Sequence, residues 1–191
     1  MSPVNQVNLY DYFGFCKIKM GNCCTCAESP PSIVFLGLCD SGKSSIIAYI
    51  EYKAFRLTHP TLGVSISSSV YEDSRVEIWD VSGRDCSFWS KYYAFPSGMA
   101  FVIDGLREDL LDTFVSHAKN ALENDHVQTI PILIYINRYL GDGTEIVNNI
   151  KDKLDLNLRP GLSIHFQLCD VKSGKGVLEG YNWLMSRVIR I

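Results

Sequence analysis

The stretch GLCDSGKS, residues 37–44, constrains the fold more than any other part of this chain. It has the spacing G-x-x-x-x-G-K-[ST], and its flanks supply the context that this spacing needs. Ahead of it, SIVFLGL is a short apolar run that reads as a buried strand. Behind it, SSIIAYIEYKAF carries a helical period. Gly37 and Gly42 let the backbone turn so that its amides converge, and the helix that follows adds the positive end of its dipole. Such a loop holds phosphate. Asp40, Ser41 and Ser45 complete it, Lys43 is expected to reach the outer phosphates, and Ser44 is expected to offer its hydroxyl to Mg²⁺.

The remaining pattern alternates strands with helices. GVSISSSVY (63–71) has period two and RVEIWDV (75–81) follows a polar turn, which predicts a hairpin. GMAFVIDG (98–105) and TIPILIYI (129–136) are continuous apolar runs of the kind that parallel strands buried on both faces require. Between them Leu110, Leu111, Phe114, Val115, Ala118, Ala121 and Leu122 form one helical face. Thr144 is expected to cap a further helix, LSIHFQL (162–168) to form the last strand, and GVLEGYNWLMSRVIRI the last helix. The expected architecture is three-layer α/β: a mostly parallel six-stranded sheet with one antiparallel edge hairpin and helices on both faces.

Charge and cysteine content exclude several classes. A formal net charge of −3 with no Lys/Arg cluster argues against a nucleic-acid partner. No apolar stretch approaches the roughly 20 residues of a membrane-spanning helix, and the N-terminus lacks a secretory signal. Seven cysteines, three of them in CCTC, are no disulfide framework and point to a reducing, cytoplasmic setting. Residues 1–31 read as an N-terminal extension and 32–191 as the domain. MGNCCTC (20–26) has the form of a lipidation signal if Met20 is the start: Gly21 would take myristate, and Cys23, Cys24 or Cys26 palmitate. If residues 1–19 belong to the protein, Leu9, Tyr12, Phe13 and Cys16 share one face of a weak interfacial helix; a disordered tail with chance cysteines is the other alternative.

A phosphate loop needs groups that sense the outermost phosphate. Thr61, in HPTLGV, and Asp80, at the end of a strand in WDVSG, suit the rest of a magnesium shell. Gly83 leaves room for its amide to approach the phosphate. With these in place, GLCDSGKSS, HPTLGVSIS, VEIWDVSGR, FWSKYY, AFVIDG, IPILIYIN and GVLEGYNWL occur in the order of the ADP-ribosylation factor (Arf) and Arf-like small GTPases, and residues 32–191 resemble that family. Ser82 and the loop CDVKSGKG narrow the resemblance to the ciliary, Bardet–Biedl-type Arf-like branch. The resemblance implies a P-loop G domain that binds GTP/GDP with Mg²⁺ and associates peripherally with endomembrane or ciliary surfaces. It also implies an exchange factor, a GTPase-activating protein, and coat or adaptor effectors docked through Val64, Trp79 and Tyr92.

Two positions depart from the family pattern. Arg84 stands where the family has a catalytic Gln; it cannot accept a hydrogen bond from water, so slow hydrolysis is expected. In YINRYLGDG (135–143), Asn137 is kept and Arg138 can stack as the family's Lys does, but Leu140 replaces the Asp that accepts both guanine N–H groups. Asp142 can take that role only if the loop bulges around Gly141 and Gly143. Leu168 and Cys169 would line the rest of the base loop. A pseudo-GTPase, binding nucleotide weakly or without selectivity, is the competing expectation.

Overall fold

The computed structural model describes residues 29–189. Residues 1–28 of the expected extension, with its lipidation residues Gly21, Cys23 and Cys24, lie outside the described residues. The strands are β1 (Ser32–Leu36), β2 (Val64–Tyr71), β3 (Ser74–Val81), β4 (Gly98–Asp104), β5 (Ile132–Asn137) and β6 (Ile164–Cys169). The helices are α1 (Lys43–Tyr52), α2 (Leu111–Leu122), α3 (Thr144–Lys153) and α4 (Val177–Val188). The sheet has six strands in the order β2-β3-β1-β4-β5-β6. All neighbours are parallel except β2 and β3, which pair antiparallel from Val64 opposite Val81 to Tyr71 opposite Ser74.

The apolar runs behave as strands buried on both faces should. In β5, Ile132, Ile134 and Ile136 face one core while Leu133 and Tyr135 face the other. The first core lies against α2 and α3 and holds Trp89, Phe101, Phe114 and Ile150; the second lies against α1 and α4 and holds Phe35, Ile46, Tyr181 and Leu184. Tyr135 is fully buried, and its hydroxyl donates to the Val177 carbonyl at 2.6 Å, so the polar tip is satisfied.

Two local expectations need correction, and one segment was not expected. Thr144 is the first helical residue of α3 and not its cap; Gly143, left-handed at φ 75°, takes the cap position, and the Asp142 carboxylate accepts from the Thr144 N–H at 3.0 Å. α1 stops at Tyr52, short of the predicted Phe55, because Lys53 turns left-handed (φ 55°) and returns its N–H to the Tyr49 carbonyl. A 3₁₀ segment at Cys86–Tyr92, begun by Asp85 accepting from the Ser87 N–H at 3.1 Å, has no counterpart in the sequence reading.

Phe114 of α2 is fully buried and meets Phe101 of β4 edge-to-face at 5.9 Å. Phe114→Ala removes that ring and leaves a cavity between helix and sheet, and is expected to destabilise the domain by about 3–5 kcal/mol. Urea unfolding of the two proteins measures it.

Candidate functional site

The candidate site lies along the carboxyl ends of the strands, where an open α/β sheet reverses its strand order. The loop after β1 turns through Gly37 and Gly42. A Cβ on Gly37 would overlap the Val102 carbonyl of β4, and one on Gly42 (φ 96°) would overlap the Asn137 amide of β5. Both glycines are therefore required by close backbone approach, and the expected phosphate loop is present as a cradle. Lys43 is 6% exposed; its ammonium donates to the carbonyls of Gly37 at 2.9 Å and Leu38 at 3.1 Å. Burial lowers its pKa, while Asp80 opposes that shift. Ser41 is buried within the loop with its hydroxyl unpartnered among the described residues, and Ser45 lies beside Thr58, with their hydroxyl oxygens 3.3 Å apart.

Ser44, Thr61 and Asp80 converge from three separate segments. The Ser44 hydroxyl donates to Asp80 Oδ2 at 2.6 Å, the Thr61 hydroxyl to the same oxygen at 2.8 Å, and the two hydroxyl oxygens are 3.1 Å apart. Asp80 is 6% exposed, and its Oδ1 is buried with no partner among the described residues. A buried carboxylate oxygen left unpaired beside two hydroxyls is a hard-oxygen set of the kind Mg²⁺ takes. Gly83 rests on the phosphate loop: a Cβ there would lie 2.5 Å from Leu38 C and 2.6 Å from Cys39 N.

The opposite wall is organised by Asn137, 1% exposed at the end of β5. Its Nδ2 donates to the Ser41 carbonyl at 3.0 Å and its Oδ1 accepts from the Val171 N–H at 3.2 Å, so one amide joins the phosphate loop to the loop after β6. Arg138 is left-handed (φ 56°). Its Nη2 donates to Asp104 Oδ2 at 2.6 Å and to the Asp40 carbonyl at 2.7 Å, and its backbone N–H donates to the Cys169 carbonyl at 3.1 Å. Cys169 is buried, which pushes its thiol up to about 12. Leu168 packs over Gly143, where a Cβ would meet its methyl groups.

Sequence reasoning missed Asp104 and Val171. Asp104 ends β4 in register with Asn137, so a carboxylate at the end of AFVIDG was the available signal. Val171 acts through its backbone N–H, and nothing in its side chain marks it.

Leu140 is 77% exposed. The Asp142 carboxylate is engaged at the start of α3, and the hydrogen bonds from Thr144 lower its pKa. Arg84 is exposed; its backbone N–H donates to the Ser82 hydroxyl at 3.3 Å, and its guanidinium has no partner among the described residues. Of the expected effector residues, Val64 is half-buried while Trp79 (1% exposed) and Tyr92 (7%) are buried edge-to-face at 6.4 Å.

No helix among the described residues is long and apolar enough to cross a membrane. The chain is similar to ADP-ribosylation factor-like protein 2 of Arabidopsis thaliana, 28% identical over 84% of this chain and 89% of that protein. It is similar to ADP-ribosylation factor-like protein 3 of Chlamydomonas reinhardtii, 26% identical over 84% of this chain and 92% of that one. The Arl6/BBS3 small GTPase from Trypanosoma brucei, solved with the nucleotide analogue GppNp, shares the fold with a TM-score of 0.73 at 22% identity, covering 85% of this chain and 99% of that one. The model of the ADP-ribosylation factor family matches residues 22–188. With that match added to the phosphate loop and its partner groups, the chain belongs to the ADP-ribosylation factor family of small GTPases.

Proposed function

We propose that this chain is an Arf-like GTP switch of membrane, vesicle or ciliary trafficking that recruits coat or adaptor proteins when triphosphate-bound, with hydrolysis and base reading both weakened by its own substitutions. The observation that carries this reading is the convergence of Ser44, Thr61 and Asp80 around one buried carboxylate with a spare oxygen. These residues fit Mg²⁺, and the glycine cradle with Lys43 fits the phosphates. When bound, the metal neutralises phosphate charge. The residues' own part is to couple segments: Ser44 belongs to the phosphate loop, Thr61 to the loop before β2, and Asp80 to β3. A ligand that reorders the two hydroxyls about Asp80 therefore moves the Thr61 loop relative to the sheet. An exchange factor and a GTPase-activating protein would set the two states, and the membrane anchor would be the expected lipids on Gly21, Cys23 and Cys24.

The effector surface of this reading is Val64, Trp79 and Tyr92. With both rings buried, partners would engage them only after the segments around β2 and Cys86–Tyr92 shift. Capture from a lysate on the immobilised chain should therefore be stronger with a non-hydrolysable GTP analogue than with GDP. Equal capture in the two states would favour the pseudo-GTPase, a fixed binding surface.

The base site fits guanine in part. Asn137 and Arg138 hold the loops that would flank a base, but Leu140 offers no acceptor to its N–H edge. Leu140→Asp is expected to raise GTP affinity about 10- to 150-fold, the range of one hydrogen bond to a charged group, while leaving ATP affinity nearly unchanged. Competition against a fluorescent nucleotide measures both. A native chain that already prefers GTP as strongly as the variant would show that Asp142 reads the base.

Slow hydrolysis follows from Arg84, which offers water no acceptor. In single-turnover assays Arg84→Gln should hydrolyse GTP severalfold faster than the native chain. A native rate equal to that of the variant would remove the claim of impairment.

A further inference from the structure

We propose that Cys39 and Cys86 form a redox couple, in which a peroxide oxidises Cys39 and the two sulfurs then close a disulfide that pins the segment after β3 onto the phosphate loop. Cys39 is exposed on that loop, and Cys86 opens the 3₁₀ segment beyond β3. The Cys86 thiol lies 3.7 Å from the Gly83 carbonyl. Gly83 in turn rests on the peptide that carries Cys39, close enough that a Cβ would sit 2.6 Å from the Cys39 nitrogen. The two cysteines thus belong to backbones in direct contact, whereas Cys169, the third described cysteine, is buried at the end of β6. A disulfide needs Cα atoms within about 7 Å, and Arg84 and Asp85, which join Gly83 to Cys86, are both exposed.

The local charges assign an order to the two sulfurs. Lys43 lies within electrostatic reach of Cys86, which favours its thiolate. Burial nevertheless holds the Cys86 thiol above its usual value, so the exposed Cys39 meets a soluble oxidant first. The Cys39 sulfur attacks one peroxide oxygen and the O–O bond breaks, giving a sulfenic acid and one water. The Cys86 sulfur then attacks the Cys39 sulfur, the S–O bond breaks, and the leaving hydroxide takes a proton as a second water. Two thiols lose two electrons and one hydrogen peroxide becomes two waters. The product holds Gly83 down on Leu38 and Cys39, against the cradle that the outer phosphate would enter.

The effect on nucleotide affinity rests on the GTP-switch reading, whereas the crosslink does not. The test uses the full chain with Cys16, Cys23, Cys24 and Cys26 replaced by Ser, so that Cys39, Cys86 and Cys169 are the thiols left. After hydrogen peroxide treatment, non-reducing tryptic mass spectrometry should find the Cys39 peptide joined to the Cys86 peptide. Cys86→Ser should instead leave Cys39 as sulfenic or more oxidised acid. Affinity for a fluorescent GTP analogue should fall about tenfold or more, the scale of one hydrogen bond to a charged group, and return with dithiothreitol. Oxidised Cys39 beside a free Cys86 thiol would overturn the proposal, as would a crosslinked chain with unchanged affinity. Failure of the reduced chain to bind nucleotide would strike the switch reading instead, and the crosslink would then decide the cysteine couple alone.

Discussion

Two hydrogen bonds from the Asn137 side chain hold this site in shape. One end of the amide supports the phosphate loop at Ser41 and the other supports the loop after β6 at Val171. Neither loop has regular structure of its own at those points, so their separation is set by the width of one carboxamide. A buried amide leaves no slack, because an unmade bond on either side would cost about 1–3 kcal/mol. Gly42 is part of the same constraint: any side chain there would push the Asn137 amide away. Arg138 repeats the arrangement one residue on, tying Asp40 of the phosphate loop to Asp104 at the end of β4.

The architecture was legible because hydrophobic period and loop chemistry agreed. Unbroken apolar runs can be buried on both faces only as central strands, and the glycine spacing demanded a strand before it and a helix after it. Ser44, Thr61 and Asp80 could be proposed from type and spacing since each carries its role in its own side chain. The helix ends could not be read as well, because a backbone decides them: Lys53 in the left-handed region stops α1, and Gly143 with Asp142 displaces Thr144 from the cap. The burial of Trp79 and Tyr92 was hidden for a related reason. Their exposure depends on the path of the segment Cys86–Tyr92, and its 3₁₀ geometry follows from Asp85 and from Trp89, whose indole donates to the Ser82 carbonyl at 3.2 Å.

The two sides of the site are held by different means. Buried amides, glycine contacts and a guanidinium bridge organise the side toward β5 and β6. On the side toward β2 and β3, Thr61 meets the rest through a hydroxyl, and Arg84 is exposed, with no partner for its guanidinium among the described residues. Hydroxyl contacts of this kind rearrange at low cost. The division matches the demands on a switch, which must keep hold of a ligand while one edge responds to its charge.

Tyr49 extends this contrast. It projects from α1 and lies directly over Gly174 in the loop after β6, where no Cβ could fit beneath its hydroxyl. The phosphate loop leads into α1, α1 reaches the loop after β6 through Tyr49, and Asn137 leads back to the phosphate loop. The path is a closed mechanical ring. A frame closed in this way has a size that is already set. On the proposed reading, selectivity would be a property of what lines the ring, while responsiveness would belong to the segments outside it.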